Sequence, residues 1–443
     1  GDAVTEDVFY RVGRALVRVL EANSVVVGYD ARASSPLLSD AFANGVMDEG
    51  ADVCEIGLAG TEEMYFATSH LKASAGAIIT ASHNPIEYNG MKFVRAGSAP
   101  LAVDTEFLEI KSVAENIEEL SSGEARGTSR DFSFENRAAY VAKVLNFIEV
   151  DKLGPLRVVV NCGNGAAGPA LLEIKTQLQK KGSKLSILEV FGEPDPTFPN
   201  GIPNPILPEN HHFTSDVVLA EGADFGVAFD GDFDRCFFFD EAGNFVEGYY
   251  LVGLFARALL KKNPGETIIH DPRLVWNTLY MVESLGIPFQ SKAGHAFIKE
   301  KMREENAIYA GEMSGHYYFR DFSYCDSGMI PWLILVDIMS EESATLSELI
   351  RDCKSMFPCS GEINLEVNDI FGSLEKVKNR FSSSARSISS LDGISLEFED
   401  WRFNMRGSNT ESLLRLNVEA KESRDKMKEK TKLLVSFLEE NCQ

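Results

Sequence analysis

The chain has 443 residues, of which 44% are hydrophobic and 25% are charged, so it is long enough for three or four domains. Its net charge of −24 opposes nucleic-acid binding, and an anionic substrate would need a local cluster of cations. No run is apolar and long enough to span a membrane, and the seven scattered cysteines lack zinc or redox spacing. We therefore expect a cytoplasmic protein with reduced thiols and with no nucleic-acid or membrane partner.

The first predicted domain, residues 1–141, alternates strands and helices in a pattern that is typical of βαβ units and a parallel or mixed sheet. Strands are predicted at 25–28, 53–57 and 77–79, with helices at 36–48 and 62–71. Residues 113–135 are rich in Glu, Ser and Gly and are predicted to form a solvated helix and a linker.

The strand that ends at residue 79 leads into a polar loop, in which Asn84-Pro85 forces a turn. The loop carries Ser82 and His83, and Lys92 follows shortly after it. A hydroxyl, an imidazole and an ammonium supply the nucleophile, the proton carrier and the cation that a phosphorylatable serine needs. A serine that only begins a turn is the alternative at this point.

The second predicted domain, residues 142–244, has strands at 156–160, 185–190 and 225–229. Gly163 to Gly168 fits the GxGxxG pattern after the first of these strands, and Glu189 falls near the position that binds ribose in dinucleotide sites. These features support an NAD-dependent dehydrogenase as an alternative function. A glycine-rich turn that binds no nucleotide explains them equally.

Asp230, Asp232 and Asp234 alternate in a short loop after the strand at 225–229. In an extended chain alternate carboxylates lie on one side, where their repulsion requires a cation, and oxygen ligands in that number suit Mg²⁺. An EF-hand loop does not fit, because Arg235 stands where that loop needs glycine and a predicted strand follows it. A solvated acidic hairpin and a phosphatase with Asp230 as its nucleophile are the other interpretations.

The third predicted domain, residues 245–358, repeats the alternation with helices at 250–260, 275–285 and 296–304. Its loop at 311–316 places Glu312, Ser314 and His316 between glycines, and a carboxylate and a hydroxyl at that spacing can hold neighbouring sugar hydroxyls. A helix cap or a turn would explain the Glu and the Ser as well.

The last predicted domain, residues 359–443, is a small α+β domain with strands at 363–367, 394–398 and 412–418 and helices at 373–381 and 424–439. Trp401 and Phe403 are predicted to lie in its core. A potential phosphate cradle lies between the strands and offers a guanidinium, an amide and two hydroxyls from Arg406, Ser408, Asn409 and Thr410. A surface turn of this composition is the alternative.

Four loops follow one another along the chain: the serine loop with Ser82, the metal loop with the three aspartates, the sugar loop at 311–316 and the phosphate loop at 406–410. These loops, in this order, resemble those of the α-D-phosphohexomutase superfamily, most closely its bacterial phosphomannomutase branch. The resemblance covers nearly the whole chain. The sugar loop has Met313 between Glu312 and Ser314, and this form of the loop resembles that of the phosphomannomutase branch. Chains of this family usually open with a Tyr-Asp-Ile-Arg-Gly-like loop whose arginine reaches the site, whereas this sequence opens with Gly1-Asp2-Ala3. Gly407 also stands where Ala or Thr is commoner.

The resemblance implies three similar mixed-sheet α/β domains and a C-terminal α+β domain, in a heart-shaped arrangement with a central active-site cleft. Ser82 would carry the phosphoryl group, with Mg²⁺ between it and the three aspartates, and His83 and Lys92 would assist proton transfer and charge balance. The residues implied to bind the sugar are Arg235, Arg273, His295, Glu312, Ser314 and His316. Those implied to bind the non-reacting phosphate are Arg406, Ser408, Asn409 and Thr410.

The implied activity is the interconversion of mannose 1-phosphate and mannose 6-phosphate through a hexose 1,6-bisphosphate, which feeds GDP-mannose synthesis. A phosphoglucomutase or an enzyme of dual specificity is the near alternative, because the sugar loop addresses positions 3 and 4 and no loop addresses position 2. A catalytically silent module that binds Mg²⁺ or a sugar phosphate is a more remote one. We expect a monomer or a homodimer.

Overall fold

The computed structural model describes residues 4–117, 125–407 and 413–442. The chain divides into two compact units, the first formed by Gly1–Phe245 with Gly315–Thr345 and the second by Val246–Ser314 with Leu346–Gln443. None of the described helices is long and apolar enough to cross a membrane.

Helices and strands alternate along the first half of the chain. The amino-terminal elements are α1 (Glu6–Leu20), β1 (Ser24–Tyr29), α2 (Ser35–Asp48), β2 (Asp52–Leu58), α3 (Thr61–His70), β3 (Ala75–Ile79), β4 (Met91–Arg95), β5 (Ala99–Pro100), α4 (Leu108–Asn116), β6 (Ser129–Asp131) and α5 (Ser133–Leu145). They are followed by β7 (Arg157–Asn161), α6 (Ala167–Lys180), β8 (Ser186–Val190), α7 (His212–Glu221), β9 (Phe225–Phe229), β10 (Cys236–Phe239) and β11 (Phe245–Val246).

The third stretch contains α8 (Gly248–Lys262), β12 (Thr267–His270), α9 (Trp276–Val282), β13 (Ile287–Gln290), α10 (His295–Glu304), β14 (Tyr309–Gly311), β15 (Tyr317–Phe319), β16 (Cys325–Asp326), α11 (Met329–Glu342) and α12 (Leu346–Met356). The last contains β17 (Cys359–Glu366), α13 (Ile370–Phe381), β18 (Ser387–Ser389), β19 (Ile394–Glu397), β20 (Trp401–Gly407), β21 (Leu413–Ala420) and α14 (Arg424–Asn441).

The first sheet of the first unit has the strand order β5-β4-β3-β1-β2-β6. β1 runs parallel to β2 and β3, whereas β4 runs antiparallel to β3 and returns the chain after the serine loop. The prediction of a linker up to residue 135 is wrong over β6, which pairs with β2, and at the start of α5. The three residues of β6 are polar and exposed, so the sequence contains no apolar alternation that would indicate a strand.

The second sheet of this unit contains β10, β9, β7 and β8 in that order. β9 is parallel to β7 and antiparallel to β10, so the chain reverses between β9 and β10. The strands β7, β9 and β10 are almost entirely buried. The aspartate loop is the reversal between two buried strands, and its backbone is therefore anchored at both ends.

Glu62, in the first turn of α3, is fully buried and accepts a hydrogen bond of 3.1 Å from the backbone N–H of Met329 at the start of α11. Burial raises the pKa of this carboxyl well above its ordinary value, against the opposing hydrogen bonds from Ser327, Met329 and Tyr140. The folded protein therefore keeps the neutral acid to higher pH than the unfolded chain does.

We expect Glu62→Gln to gain stability relative to the wild type as the pH rises from about 5 to about 8. A buried carboxyl with a raised pKa binds more protons in the folded state than in the unfolded chain. The stability that it contributes therefore declines as the pH rises above its pKa in the unfolded chain, about 4.3. Glutamine keeps the acceptor for Met329 and does not titrate. Thermal unfolding of both proteins across this pH range tests the prediction, and a difference that is independent of pH would contradict it.

In the second unit, β12 runs parallel to β13 and β14. The C-terminal sheet is fully antiparallel among the pairs described, in the order β17-β21-β20-β19-β18. Its apolar core includes Trp401 and Phe403, as predicted, and α13 and α14 pack against it. Arg406 was predicted to lie in a loop between strands, but it lies within β20, a strand that was not predicted.

Candidate active site

The serine loop connects β3 to β4 and lies at the carboxyl end of β3, as predicted. Ser82 has φ 50°, in the left-handed region that residues other than glycine rarely occupy. Its Oγ donates a hydrogen bond of 2.8 Å to Asp230 Oδ2 and lies 3.1 Å from His83 Nδ1. The structure therefore brings together two of the predicted loops, which are 148 positions apart in the sequence.

Gly231 is the point at which the aspartate loop contacts the serine loop. A Cβ at this position would lie 2.5 Å from the carbonyl oxygen of Ser82, a separation that real Cβ atoms do not show. On its other side, the N–H of Ala166 donates a hydrogen bond of 3.1 Å to Gly231 O. Because the obstructing atom belongs to the backbone of Ser82, and the Ala166 bond holds Gly231 in place, the approach of the two loops depends on glycine.

We expect Gly231→Ala to lower kcat of the proposed reaction by about 100-fold, because displacing a reactive group by about 1 Å has an effect of this size. The methyl group would push the backbone of Ser82 away from Asp230. Steady-state kinetics and thermal unfolding of the variant test this prediction. Wild-type kcat in the folded variant would show that the close contact is not needed.

The three aspartates converge, with ligand atoms that all lie within 4.8 Å of one another. Asp230 and Asp232 are 0% exposed and Asp234 is 3% exposed. They meet through a tight turn and not, as predicted, along an extended chain: Phe233 donates a backbone hydrogen bond to Asp230 O and has φ 45°. The turn places three buried carboxylates around one point.

This donor set fits a Mg²⁺ ion. Carboxylate oxygens are the ligands that hard divalent cations prefer, and the Oδ1 atom of Asp232 is buried without a hydrogen-bond partner among the described residues. A buried carboxylate oxygen without a partner carries a desolvation cost that coordination would offset. Ser82 Oγ, which contacts Asp230, could supply a fourth oxygen.

Two cations face these acids. Lys92 Nζ lies 2.6 Å from Asp232 Oδ2 and 2.5 Å from Asp234 Oδ2. Burial disfavours the charge on Lys92, but the nearby carboxylates outweigh it and raise the pKa of this ammonium group. Arg235 donates from Nε, at 2.9 Å, to Asp230 Oδ2. Burial still raises the pKa of Asp230, to about 6.

His83 is a neutral imidazole in this setting, because burial and then the charge of Arg235 lower its pKa to about 3. Its Nδ1 atom is hydrogen-bonded by Arg235, which can only donate, so Nδ1 carries the lone pair. The same atom lies 3.1 Å from Ser82 Oγ, whose hydrogen is donated to Asp230 here, so Nδ1 is in reach of the hydroxyl proton only when its lone pair is not occupied by Arg235.

Two further residues of this site have no signal in the sequence. Thr61, at the start of α3, donates from its hydroxyl to Asp232 Oδ2 and from its backbone N–H, at 3.1 Å, to Asp232 O. Asp326, in β16, lies 3.0 Å from Nδ1 of His316, which was a predicted site residue. His316 and Asp326 form, with Asp234, a second group of ligand atoms within 4.8 Å.

The second unit groups other predicted residues around Arg273. The Nη2 atom of Arg273 lies 3.5 Å from Glu312 Oε1 and 3.3 Å from Ser314 Oγ, and Asp271 holds the same guanidinium at 2.9 Å. Glu312 also accepts a hydrogen bond of 2.9 Å from the backbone N–H of Gly294, which precedes the exposed His295 at the start of α10.

Glu362, in β17, was not predicted and joins three arginines. Its carboxylate lies 3.5 Å from Arg273, 3.5 Å from Arg406 and 3.6 Å from Arg415. The structure thus places Arg406 and Arg273 around one carboxylate. The other predicted phosphate-binding residues, Ser408, Asn409 and Thr410, lie outside the described residues.

Comparisons with known proteins identify the family of this chain. The phosphoglucomutase/phosphomannomutase family models match all four domains, namely α/β/α domain I at residues 1–121, domain II at 138–243, domain III at 247–356 and the C-terminal domain at 362–433. The chain belongs to the phosphoglucomutase/phosphomannomutase family. This membership confirms the predicted three α/β domains and C-terminal domain.

Relatives of this family match nearly the full chain. A phosphomannomutase of Salmonella typhimurium is 49% identical over 440 residues, which cover 99% of this chain and 96% of the relative. A protein of Xanthomonas campestris named as phosphohexose mutases is 49% identical over 421 residues, 95% of this chain and 92% of that protein. A crystal structure of a phosphoglucomutase/phosphomannomutase family protein from Burkholderia thailandensis has a TM-score of 0.86 at 29% identity and covers 99% of this chain and 95% of its own.

The glycine-rich loop of this family member does not have the surroundings of a dinucleotide site. The N–H of Ala166, which precedes α6, is bonded to Gly231 O, so the aspartate loop lies where a pyrophosphate would approach. Glu189 pairs with Lys175 at 3.0 Å. The loop serves to seat the aspartate loop, and the dehydrogenase alternative loses its support.

Proposed function

We propose that this chain is a phosphomannomutase, which interconverts mannose 1-phosphate and mannose 6-phosphate through a phosphoserine at Ser82 and a hexose 1,6-bisphosphate. The observation that carries the proposal is the hydrogen bond from the partly exposed Ser82 hydroxyl to the buried aspartate cluster. The names of relatives that are 49% identical over nearly the full length support it.

The exposure of these residues favours Ser82 over Asp230 as the nucleophile. Ser82 is partly accessible, whereas Asp230 is fully buried and its Oδ2 atom already accepts hydrogen bonds from Ser82 and Arg235. A phosphosugar can therefore approach the serine but not the aspartate. This argues against the aspartyl-phosphatase alternative.

In the first half-reaction a sugar hydroxyl oxygen attacks the phosphorus of phosphorylated Ser82, the bond between phosphorus and Oγ breaks, and the hydroxyl loses its proton. The proton that the sugar hydroxyl loses ends on Oγ. In the second half-reaction Oγ attacks the phosphorus of the other phosphate, the bond between that phosphorus and its sugar oxygen breaks, and the proton passes from Oγ to the sugar oxygen. We assign transfer of the Oγ proton to His83, whose Nδ1 lies 3.1 Å away, and charge balance to Lys92 and Arg235.

Asp230, Asp232, Asp234 and Ser82 would hold the Mg²⁺ ion. When bound, it neutralises charge on the phosphoryl group. Lys92 and Thr61 orient the carboxylates, through contacts with Asp232 that leave its Oδ1 atom without a partner among the described residues.

For substrate binding we propose Glu312 and Ser314 as ligands of the sugar 3- and 4-hydroxyls, with Arg273, His295 and His316 as further contacts. Arg406, Ser408, Asn409 and Thr410 would bind the distal phosphate. The contacts of Arg273 with Glu312 and Ser314 support the first assignment, since they hold a carboxylate and a hydroxyl side by side. The resemblance supports the second.

We further propose four domains at 1–141, 142–244, 245–358 and 359–443, because the four family matches fall within or close to these limits. None of the seven cysteines, all of which lie in the described part of the chain, forms a disulfide, and this supports the reducing, cytoplasmic setting expected from the sequence. A monomer or homodimer stays a prediction.

The test is a mutase assay with Mg²⁺ and a trace of hexose 1,6-bisphosphate, comparing mannose 1-phosphate with glucose 1-phosphate. We expect the larger kcat/KM for mannose 1-phosphate. Equal values would favour a mutase of dual specificity, as the name of the Xanthomonas relative suggests for that protein. Release of inorganic phosphate without isomerisation would instead indicate a phosphatase, and metal binding without turnover a binding module.

A further inference from the structure

Arg32 lies beneath the serine loop and is not among the residues that the sequence indicated. Its side chain is buried, with 2% exposure, and its guanidinium donates four hydrogen bonds to backbone carbonyls of this loop. Nη1 donates to Pro85 O at 2.8 Å and to Tyr88 O at 3.0 Å, and Nη2 donates to Ser82 O at 2.9 Å and to Asn84 O at 2.6 Å. One side chain thus binds four of the seven residues from Ser82 to Tyr88.

The guanidinium is itself fixed to the sheet. Asp30, which follows β1, pairs with Arg32 Nε at 3.4 Å, accepts from the backbone N–H of Arg32 at 3.0 Å and accepts from the Ser35 hydroxyl at 2.5 Å. Asn89, at the far end of the serine loop, donates to Ser35 Oγ at 2.9 Å. The serine loop is therefore tied to the carboxyl end of β1 and the start of α2.

These bonds have a consequence for the nucleophile. A left-handed backbone at a residue with a side chain carries a conformational cost and persists only where the surroundings enforce it. At Ser82 the surroundings include Arg32 on the carbonyl oxygen, which is the atom that also lies close to Gly231. Arg32 therefore acts on the residue whose conformation directs Oγ toward Asp230.

We propose that Arg32 is a positioning residue for phosphoryl transfer, which holds the serine loop in the conformation that presents Ser82 Oγ to the aspartate cluster. This proposal rests on the proposed function of Ser82. It concerns the rate of the reaction more than the affinity for the phosphosugar, because Arg32 contacts the loop backbone from the buried side.

Arginine is needed for this role because its planar guanidinium presents donors in two directions at once. Lysine has the same charge but carries its donors on a single nitrogen, and it cannot reach two pairs of carbonyls together. Arg32→Lys therefore keeps the positive charge but removes the two pairs of donors, so it tests the geometry of the four hydrogen bonds separately from the charge. Arg14→Lys is a matched control, since Arg14 is 1% exposed in the same unit and donates at 2.9 Å to Glu49, which follows α2.

The experiment measures mutase kinetics and amide hydrogen exchange of the full chain in both variants. For Arg32→Lys we expect kcat to fall about 10- to 100-fold with KM changed less than about threefold. Exchange should accelerate at Asn84 and Tyr88, whose amides are bonded within the loop. The Arg14→Lys control should keep wild-type kcat and loop exchange, even where its melting temperature falls.

Each outcome decides the proposal. Unchanged kcat and unchanged loop exchange in Arg32→Lys would overturn it, as would equal losses of kcat in Arg32→Lys and the control. If the wild type has no mutase activity, the proposed function fails. Faster amide exchange confined to the serine loop in Arg32→Lys would still show that Arg32 holds this loop, whereas an ordinary buried arginine would affect the whole unit. Should Arg32→Lys not fold, Arg32→Gln replaces it, because its amide can donate to at most two of the four carbonyls.

Discussion

The Ser82→Ala variant is expected to lose mutase activity by about 10⁴-fold or more, because the covalent route needs this oxygen twice in each cycle. Thr61 also brings a hydroxyl to the aspartates, but it is fully buried and already donates to Asp232. It cannot reach the phosphorus of a substrate and replace the serine. The measurement is turnover of mannose 1-phosphate with added hexose 1,6-bisphosphate.

The control for this variant is Ser69→Ala. Ser69 lies in α3 of the same unit and its hydroxyl is hydrogen-bonded to those of Ser98 and Ser323, so its loss should leave kcat near the wild-type value. Mass spectrometry of the protein after incubation with the bisphosphate adds a second readout. A phosphoryl group that remains on the Ser82→Ala chain and maps to Asp230 would contradict the phosphoserine mechanism.

Most strands and helices of the α/β domains were predictable from the sequence, since apolar runs such as 25–28 and 225–229 end in glycine or polar residues. Strand β20 also carries a readable signal, although no strand was predicted there: Trp401, Phe403 and Met405 alternate with polar residues. The alternation is misleading in one respect, because Arg402 and Asn404 on the other face are also buried.

Candidate site residues can be recognised in the sequence where several of them lie in one loop, as with Ser82 and His83 or the three aspartates, and the structure brings these two loops together. Arg32 and Thr61 cannot be recognised in this way, because their role arises only from tertiary contacts. Arg32 binds a carbonyl 50 positions away, and Thr61 binds an aspartate 171 positions away. Neither has a local pattern that separates it from an ordinary surface arginine or an ordinary helix N-terminal threonine.

Glu362 illustrates a different limit. A single glutamate in a strand whose residues are half exposed looks like a solvated position, yet the folded chain surrounds it with three arginines. The sequence shows which residues are charged but not which of them are in contact in the folded chain. The sign of the electrostatic potential at a site depends on those contacts. The anion site expected around Arg406 is for this reason more acidic than the motif alone indicates.

The largest effect on stability is expected for Glu419→Ala, in β21 of the second unit. Glu419 is 0% exposed and accepts hydrogen bonds from Arg402 Nη1 at 2.8 Å, from the backbone N–H of Val275 at 2.8 Å and from that of Trp276 at 3.3 Å. The Tyr249 hydroxyl donates to the same carboxylate. Removing one member of a buried pair typically costs about 3–5 kcal/mol, because the partner charge stays buried and unpaired.

The loss should extend to the loop that carries Arg273. Arg402 donates at 2.9 Å to the carbonyl oxygens of both Pro272 and Arg273, so the pair with Glu419 joins β20 and β21 to this loop. Without Glu419, the Arg402 guanidinium keeps these two carbonyl bonds but loses the carboxylate that fixes its orientation from the other side. We therefore expect Glu419→Ala to raise KM for the phosphosugar in addition to lowering the free energy of unfolding.

Urea unfolding followed by tryptophan fluorescence measures this effect, since Trp276 and Trp401 belong to the second unit. Glu366→Ala is the matched control, because Glu366 is an exposed glutamate in β17 of the same sheet and its loss should change stability by less than about 0.5 kcal/mol. Glu419→Gln should fall between the two, since the amide oxygen still accepts but the charge that balances Arg402 is gone. If Glu419→Ala and Glu366→Ala unfold at the same urea concentration, the buried pair does not hold the C-terminal sheet to the Arg273 loop.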